Sequence, residues 1–315
     1  VRRHPLLWLA AALLGISAAY LFWGLGGDSW RFVLGLRAGK LAALLVVGAS
    51  VAVATVLFQT VAANRILTPS IMGFDALYVL MQTALVAGLG ITGFALLPAG
   101  PKFLIEVTAL VAASLMLFGT LLGRGGQDIV RTILTGVIFG ILFRSLAGFL
   151  ARLLDPNEYA VVQQASFASF SRVNAELLPW AAGLAGIGIA GAIRLAPRLD
   201  VLALGRRISV PLGLAHERMA LLTLGLVAVL VSASTALVGP VGFFGLIVAG
   251  LAHGLTRDPR HAVLLPAAAM IAGVLLVGGQ TLFERLLGLQ STLSVVVEFA
   301  GGMFFLWLLL KGRIR

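Results

Sequence analysis

Ten apolar stretches, each about long enough to cross a bilayer, dominate this chain. The first, Leu6–Leu25, carries no charged residue and measures about 30 Å as a helix, the thickness of a hydrocarbon core. The others are Leu41–Ala63, Ile71–Leu89, Phe103–Leu122, Ile129–Leu150, Leu177–Ile193, Met219–Val238, Gly242–Leu255, Ala262–Leu282 and Thr292–Leu310. A soluble helix needs a polar face, and these have almost none. With 60% hydrophobic and 11% charged residues, the chain reads as an all-α, polytopic membrane protein. The spans occupy one transmembrane domain over residues 1–315, and the short loops leave no room for a soluble catalytic domain. The first stretch is expected to be a span, since it is too long for a signal peptide and lacks a cleavage pattern. The absence of cysteine excludes disulfides, thiolate zinc sites and thiolate-held iron–sulfur clusters.

The net charge of +11 reads as topology and not as a nucleic-acid footprint. With both termini on the cytoplasmic side, fifteen of the 23 basic residues fall inside and eight outside, as the positive-inside rule requires. The second and seventh stretches are rich in small residues, and each leads into a Pro/Gly break, Thr68–Phe74 and Gly239–Gly245. The two stretches run in opposite senses, so the breaks are expected on opposite membrane faces, as in an inverted repeat. Glu158–Arg172 is too polar to span, and Phe167 and Phe170 fall three apart, which predicts a short outer helix over about 158–172. The longest cytoplasmic connection, Arg194–Arg218, mixes apolar and basic residues as a docking surface helix does.

Several motifs dissolve on inspection. Gly186–Gly191 matches GxGxxG but lies inside an apolar span, where close helix packing explains it. Gly136 and Gly140 have the same reading. Gly35–Lys40 has the wrong glycine spacing for a phosphate loop, and Leu41 stands where the magnesium-binding hydroxyl belongs. The four histidines, His4, His216, His253 and His261, show no metal-ligand spacing. No nucleophile–base constellation appears, so no enzyme is predicted. Asp75, Glu106, Arg144 and Glu298 lie at or near membrane depth, where each is either solvated by a transport cavity or structurally paired. For Arg144 the pairing partners open to it are Glu158 and Glu176.

Three ordered segments carry a resemblance. Gly239–Val248 resembles the G-P-[IV]-x-F-x-G-L-[IL]-[VA] signature of ABC importer permeases for ferric siderophores, haem and vitamin B12. Leu202–Gly205 with Leu212-Gly213 is similar to that family's cytoplasmic A-L-G-x(6–7)-L-G element, and Phe305–Lys311 to its closing F-x-W-L-L-L-[KR]. Asn64–Asp75, Asp155–Glu158, Phe167–Phe170 and Glu298–Gly302 resemble a branch serving catecholate-type siderophores. Three departures stand out. Arg37-Ala38-Gly39-Lys40 lacks the proline of R-x-P-R, Arg206 and Arg207 replace acidic residues, and Ala249 stands where many relatives have proline.

The resemblance implies a type II ABC importer permease fold of ten spans in the bacterial cytoplasmic membrane. It further implies a second permease subunit (a heterodimer, with a homodimer as the alternative), two cytoplasmic ATPases and a periplasmic or lipid-anchored binding protein delivering a ferric siderophore. No cofactor is expected on this chain, ATP and magnesium belonging to the ATPase. Arg37, Lys40 and Arg285 are expected to dock the binding protein. Leu204, Gly205, Leu212 and Gly213, within a coupling region of about 199–217, are expected to meet the ATPase. Arg144, Gln163, Gln164, Phe167 and Phe170 are expected to line the substrate path. The alternatives are a same-family importer of haem or vitamin B12, or an ion-coupled secondary transporter built on an inverted repeat.

Overall fold

The computed structural model describes residues 4–26, 29–123, 129–170, 173–256, 258–286 and a few positions between 296 and 303. Eleven α-helices are assigned among the described residues. Helix α1 spans His4–Phe22, α2 Trp30–Ala62, α3 Phe74–Leu96, α4 Ala99–Gly123 and α5 Ile129–Ala151. Helix α6 spans Pro156–Ala165, α7 Leu178–Leu202, α8 Arg206–Ser209, α9 His216–Val238, α10 Phe244–Thr256 and α11 His261–Thr281. Among the described residues, eight helices are long and apolar enough to cross a membrane. The tenth apolar stretch and the closing Phe305–Lys311 motif fall almost wholly outside the described residues.

Helices α2 and α9 form the centre. They pack on each other; α7 packs on both and α11 on α2 and α7, while α4 leans on α9, α1 on α11 and α5 on α3. Both central helices are buried over about two-thirds of their length, 72% and 67%, whereas the windows of α1, α3 and α5 are only 6%, 17% and 17% buried. Small residues make the close approaches. A Cβ on Gly48 of α2 would lie 3.4 Å from the Ala272 Cβ of α11, and one on Gly188 of α7 would lie 2.7 Å from Leu230 of α9. Five buried hydroxyls are satisfied within their own helices: Ser50, Thr55, Thr83, Ser114 and Thr223 each donate to the carbonyl four residues back. A dry membrane interior demands that local solution.

The two Pro/Gly breaks do not lie apart. Pro69–Met72 forms a 3₁₀ turn that ends at Gly73, whose φ of +90° is open to glycine. Gly239 has φ +97°. Pro69, Ser70 and Asp75 of the first break and Val241 and Gly242 of the second line one small cavity, walled by Thr55 of α2 and Ser234 of α9. The expectation of opposite faces is thereby corrected. Helix α10 has only 13 residues, roughly 20 Å, so it starts inside the membrane, with Gly245 against the Thr55 side chain.

Candidate functional site

At the outer end, the three cations expected to dock a partner meet in one cavity of about 420 Å³, with Tyr20, Phe170 and Glu284. They are not equivalent. Arg37 donates to the carbonyls of Leu21 and Trp23, at 2.8 and 3.0 Å, and so caps the carboxyl end of α1. Lys40 is ion-paired with Glu284 in the helical turn just after α11, and Glu284 also accepts from Gln280 at 2.8 Å. The Arg285 Nε is buried without a hydrogen-bond partner among the described residues. Glu284, Gln280 and Tyr20 escaped the sequence reading because nothing local marks them. Glu284 lies 244 residues from Lys40.

At the opposite end, α7 runs into the segment expected to couple to an ATPase. Gly205, at φ +80°, separates α7 from α8. Gly213, at φ +83°, closes the next turn: its N–H donates to Val210 and that of Leu214 to Ser209, the two bonds of a Schellman cap. The turn is held from below by Ser209, bonded to His216 at 2.8 Å, and by Arg206, paired with Glu217 at 2.9 Å. Leu204, Ile208, Val210 and Leu212 project outward, each at least half exposed. An apolar tip mounted on a braced, basic turn suits insertion into a groove of another protein.

A staple missed by the sequence reading lies directly above this turn. His261, 3% exposed, bonds Thr60 of α2 through Nε2 and Asp200 of α7 through Nδ1, both at 2.7 Å. The Asp200 carboxylate also accepts the His261 backbone N–H at 2.8 Å. Three helices are therefore locked together at the base of the coupling segment.

The residues expected along a path are divided by the fold. Arg144 is exposed on α5, and among the described residues no carboxylate lies within ion-pair distance of it. Glu158 is instead used in the capping box that starts α6 with Asp155. Gln163 and Gln164 are exposed on α6, and Gln163 donates to the Tyr159 hydroxyl at 2.5 Å. The predicted outer helix begins earlier and stops at Ala165, so Phe167 and Phe170 do not share a helical face. Phe167 is 40% exposed, but Phe170 is buried in the core, because the chain after Ala165 turns onto α9, with Ser169 N–H donating to Val238. That removes Phe170 from the surface that Gln163 and Phe167 present. Glu106 is buried, bonded by Gln82 at 2.6 Å and 3.8 Å from Lys102, which sets it in a structural network. Glu298 lies outside the described residues.

A bundle of buried, small-residue central helices with eight span-length apolar helices among the described residues and a braced, apolar-tipped turn at one end is the architecture of a multi-pass membrane protein. The FecCD transport family profile matches residues 6–311, and the chain belongs to that family. It is 40% identical to the petrobactin import system permease protein YclO of Bacillus subtilis, over 97% of this chain and 96% of that one. It is 29% identical to the petrobactin import system permease protein FatC of Bacillus anthracis, over 99% and 90% of the two chains. A solved inward-facing structure of a metal-chelate type ABC transporter has the same fold, with a TM-score of 0.80 at 22% identity, covering 98% of each chain. The chain is thus a transport subunit of an ABC import system that operates with an ATPase and a binding protein. Family membership closes the alternative of an ion-coupled secondary transporter.

Proposed function

We propose that this permease imports ferric siderophores of the catecholate type. The observation that carries the reading is 40% identity, over almost the whole of both chains, to a permease named for petrobactin import. Haem and vitamin B12 are the competing cargoes within the same architecture. In this reading a second, distinct permease subunit completes the path, and two ATPases carrying ATP and magnesium act from the cytoplasmic side.

The outer cation cluster receives the binding protein. Arg285 is the group best suited to meet an incoming carboxylate, since part of its guanidinium has no partner among the described residues. Lys40 joins it at the cost of its bond to Glu284. The exposed leucines Leu204 and Leu212 seat in the ATPase, and the turns at Gly205 and Gly213 hold them at a fixed angle. Nucleotide binding then biases the bundle between outward- and inward-open states through contacts that differ between them. Arg144, Gln163, Gln164 and Phe167 line the entrance, where a cation and polar amides favour an anionic, aromatic-ringed chelate.

Growth under iron limitation tests the cargo. Cells lacking their own catecholate permease should recover on ferric petrobactin when this chain and its partner subunits are supplied. Recovery on haem alone would assign the other cargo.

A further inference from the structure

We propose, on the basis of docking at the outer cations as read above, that Glu284 is a positioning residue: the carboxylate that the binding protein displaces. The helix pair α2 and α11 then carries that exchange across the membrane to the coupling turn.

The two helices are tied at both ends. At the outer end Lys40 of α2 is ion-paired with Glu284, just past the end of α11. At the inner end Thr60 of α2 is bonded at 2.7 Å to His261, the first residue of α11. The helices therefore run antiparallel, and between the ties they approach through glycines. A Cβ on Gly48 would lie 3.1 Å from the Leu276 side chain, and one on Gly273 would lie 3.0 Å from that of Leu45. From Lys40 to Thr60 the contact runs about 30 Å, the thickness of the hydrocarbon core. Close-packed helices resist continuous deformation, so a shift at one end of such a pair is felt at the other.

Glu284 already occupies the place that a partner's carboxylate would take. It shares one cavity with Arg37, Lys40 and Arg285, and the Arg285 Nε is buried without a hydrogen-bond partner among the described residues. An arriving carboxylate competes with Glu284 for Lys40 and finds Arg285 beside it. When Lys40 changes partner, α2 loses its outer tie to α11, while Glu284 keeps its bond from Gln280 at 2.8 Å. The inner tie persists. Because His261 also bonds Asp200 at 2.7 Å, it moves together with the last turn of α7, from which the coupling turn departs at Gly205.

The test uses the assembled transporter in nanodiscs, with binding-protein association and ATPase turnover measured side by side. Glu284→Gln should tighten association at low salt by up to about fivefold, because the competing charge is gone. The ratio of turnover with the binding protein to turnover without it should fall toward one, since docking has no tie left to break. Glu284→Asp keeps the charge and should hold both values near those of the unaltered protein. Thr60→Val, at the far end of the pair, should leave association unchanged and lower the ratio. Association that is unchanged or weakened by Glu284→Gln, or a ratio unchanged by either Glu284→Gln or Thr60→Val, would overturn the proposal. Docking at the outer cations fails on a different result, unaltered association of Arg285→Glu.

Discussion

His261 and Asp200 meet twice, through the imidazole Nδ1 at 2.7 Å and the backbone N–H at 2.8 Å, and this joins the first turn of α11 to the last turn of α7. Gly205 and the exposed Leu204 follow within five residues, so the pair sets the base on which the coupling turn stands. Asp200→Ala should cost about 1–3 kcal/mol, since it removes an ionised acceptor from two donors, one on a buried ring. The melting temperature should fall, and ATPase turnover should become less tightly linked to transport. A variant with unaltered melting temperature and coupling would refute the role.

Leu204→Asp with Leu212→Asp should release the ATPase while leaving the bundle folded, because both side chains are exposed and contribute little to the core. Gly213→Ala should act differently. Its φ of +83° strains any side chain, so the turn should loosen by about 1 kcal/mol. Co-purification with the ATPase checks both. Full retention by the leucine double variant would contradict the coupling assignment.

The outer cations should separate by role. Arg285→Glu should weaken association with the binding protein at low salt without lowering stability much. Arg37→Glu should lower stability as well, because it strips the cap from the carbonyls of Leu21 and Trp23 at the end of α1. Lys40→Glu should be partly rescued by Glu284→Lys, which restores the pair. Binding-protein association measured beside melting temperature distinguishes these outcomes, and three indistinguishable variants would argue for simple interfacial cations.

Gly73→Ala should be severe. The added Cβ would meet Gly140 Cα at 2.7 Å and sit at φ +90°, so overpacking of about 1–3 kcal/mol adds to backbone strain. Gly186→Ala, where nothing lies within 4 Å of the new atom, should be neutral to thermal unfolding. Equal effects at the two glycines would contradict the packing described for the first break.

The spans were legible because bilayer thickness fixes the length of an apolar run, and the glycine-terminated coupling turn was legible because positive φ leaves a residue signature. What sequence could not carry was proximity between distant segments. Lys40 and Glu284 look like two interfacial charges until α2 and α11 are laid side by side. The opposite senses of the second and seventh stretches point the two breaks to opposite faces, and that argument does not carry the return of residues 69–75 against Val241 and Gly242. Phe170 was drawn toward Phe167 by a spacing that assumed the helix continued, whereas α6 stops at Ala165 and the chain turns onto α9. His253, His261 and Arg65 were scattered in sequence and share one cavity only in the fold.

Uptake of radiolabelled ferric petrobactin by proteoliposomes containing this permease, its partner subunit and the ATPase tests the central claim most directly. Accumulation should require both ATP and the binding protein, persist when ionophores collapse proton and sodium gradients, and fall with Arg144→Gln without loss of assembly. Uptake that proceeds without ATP and vanishes with the ionophores would contradict the account.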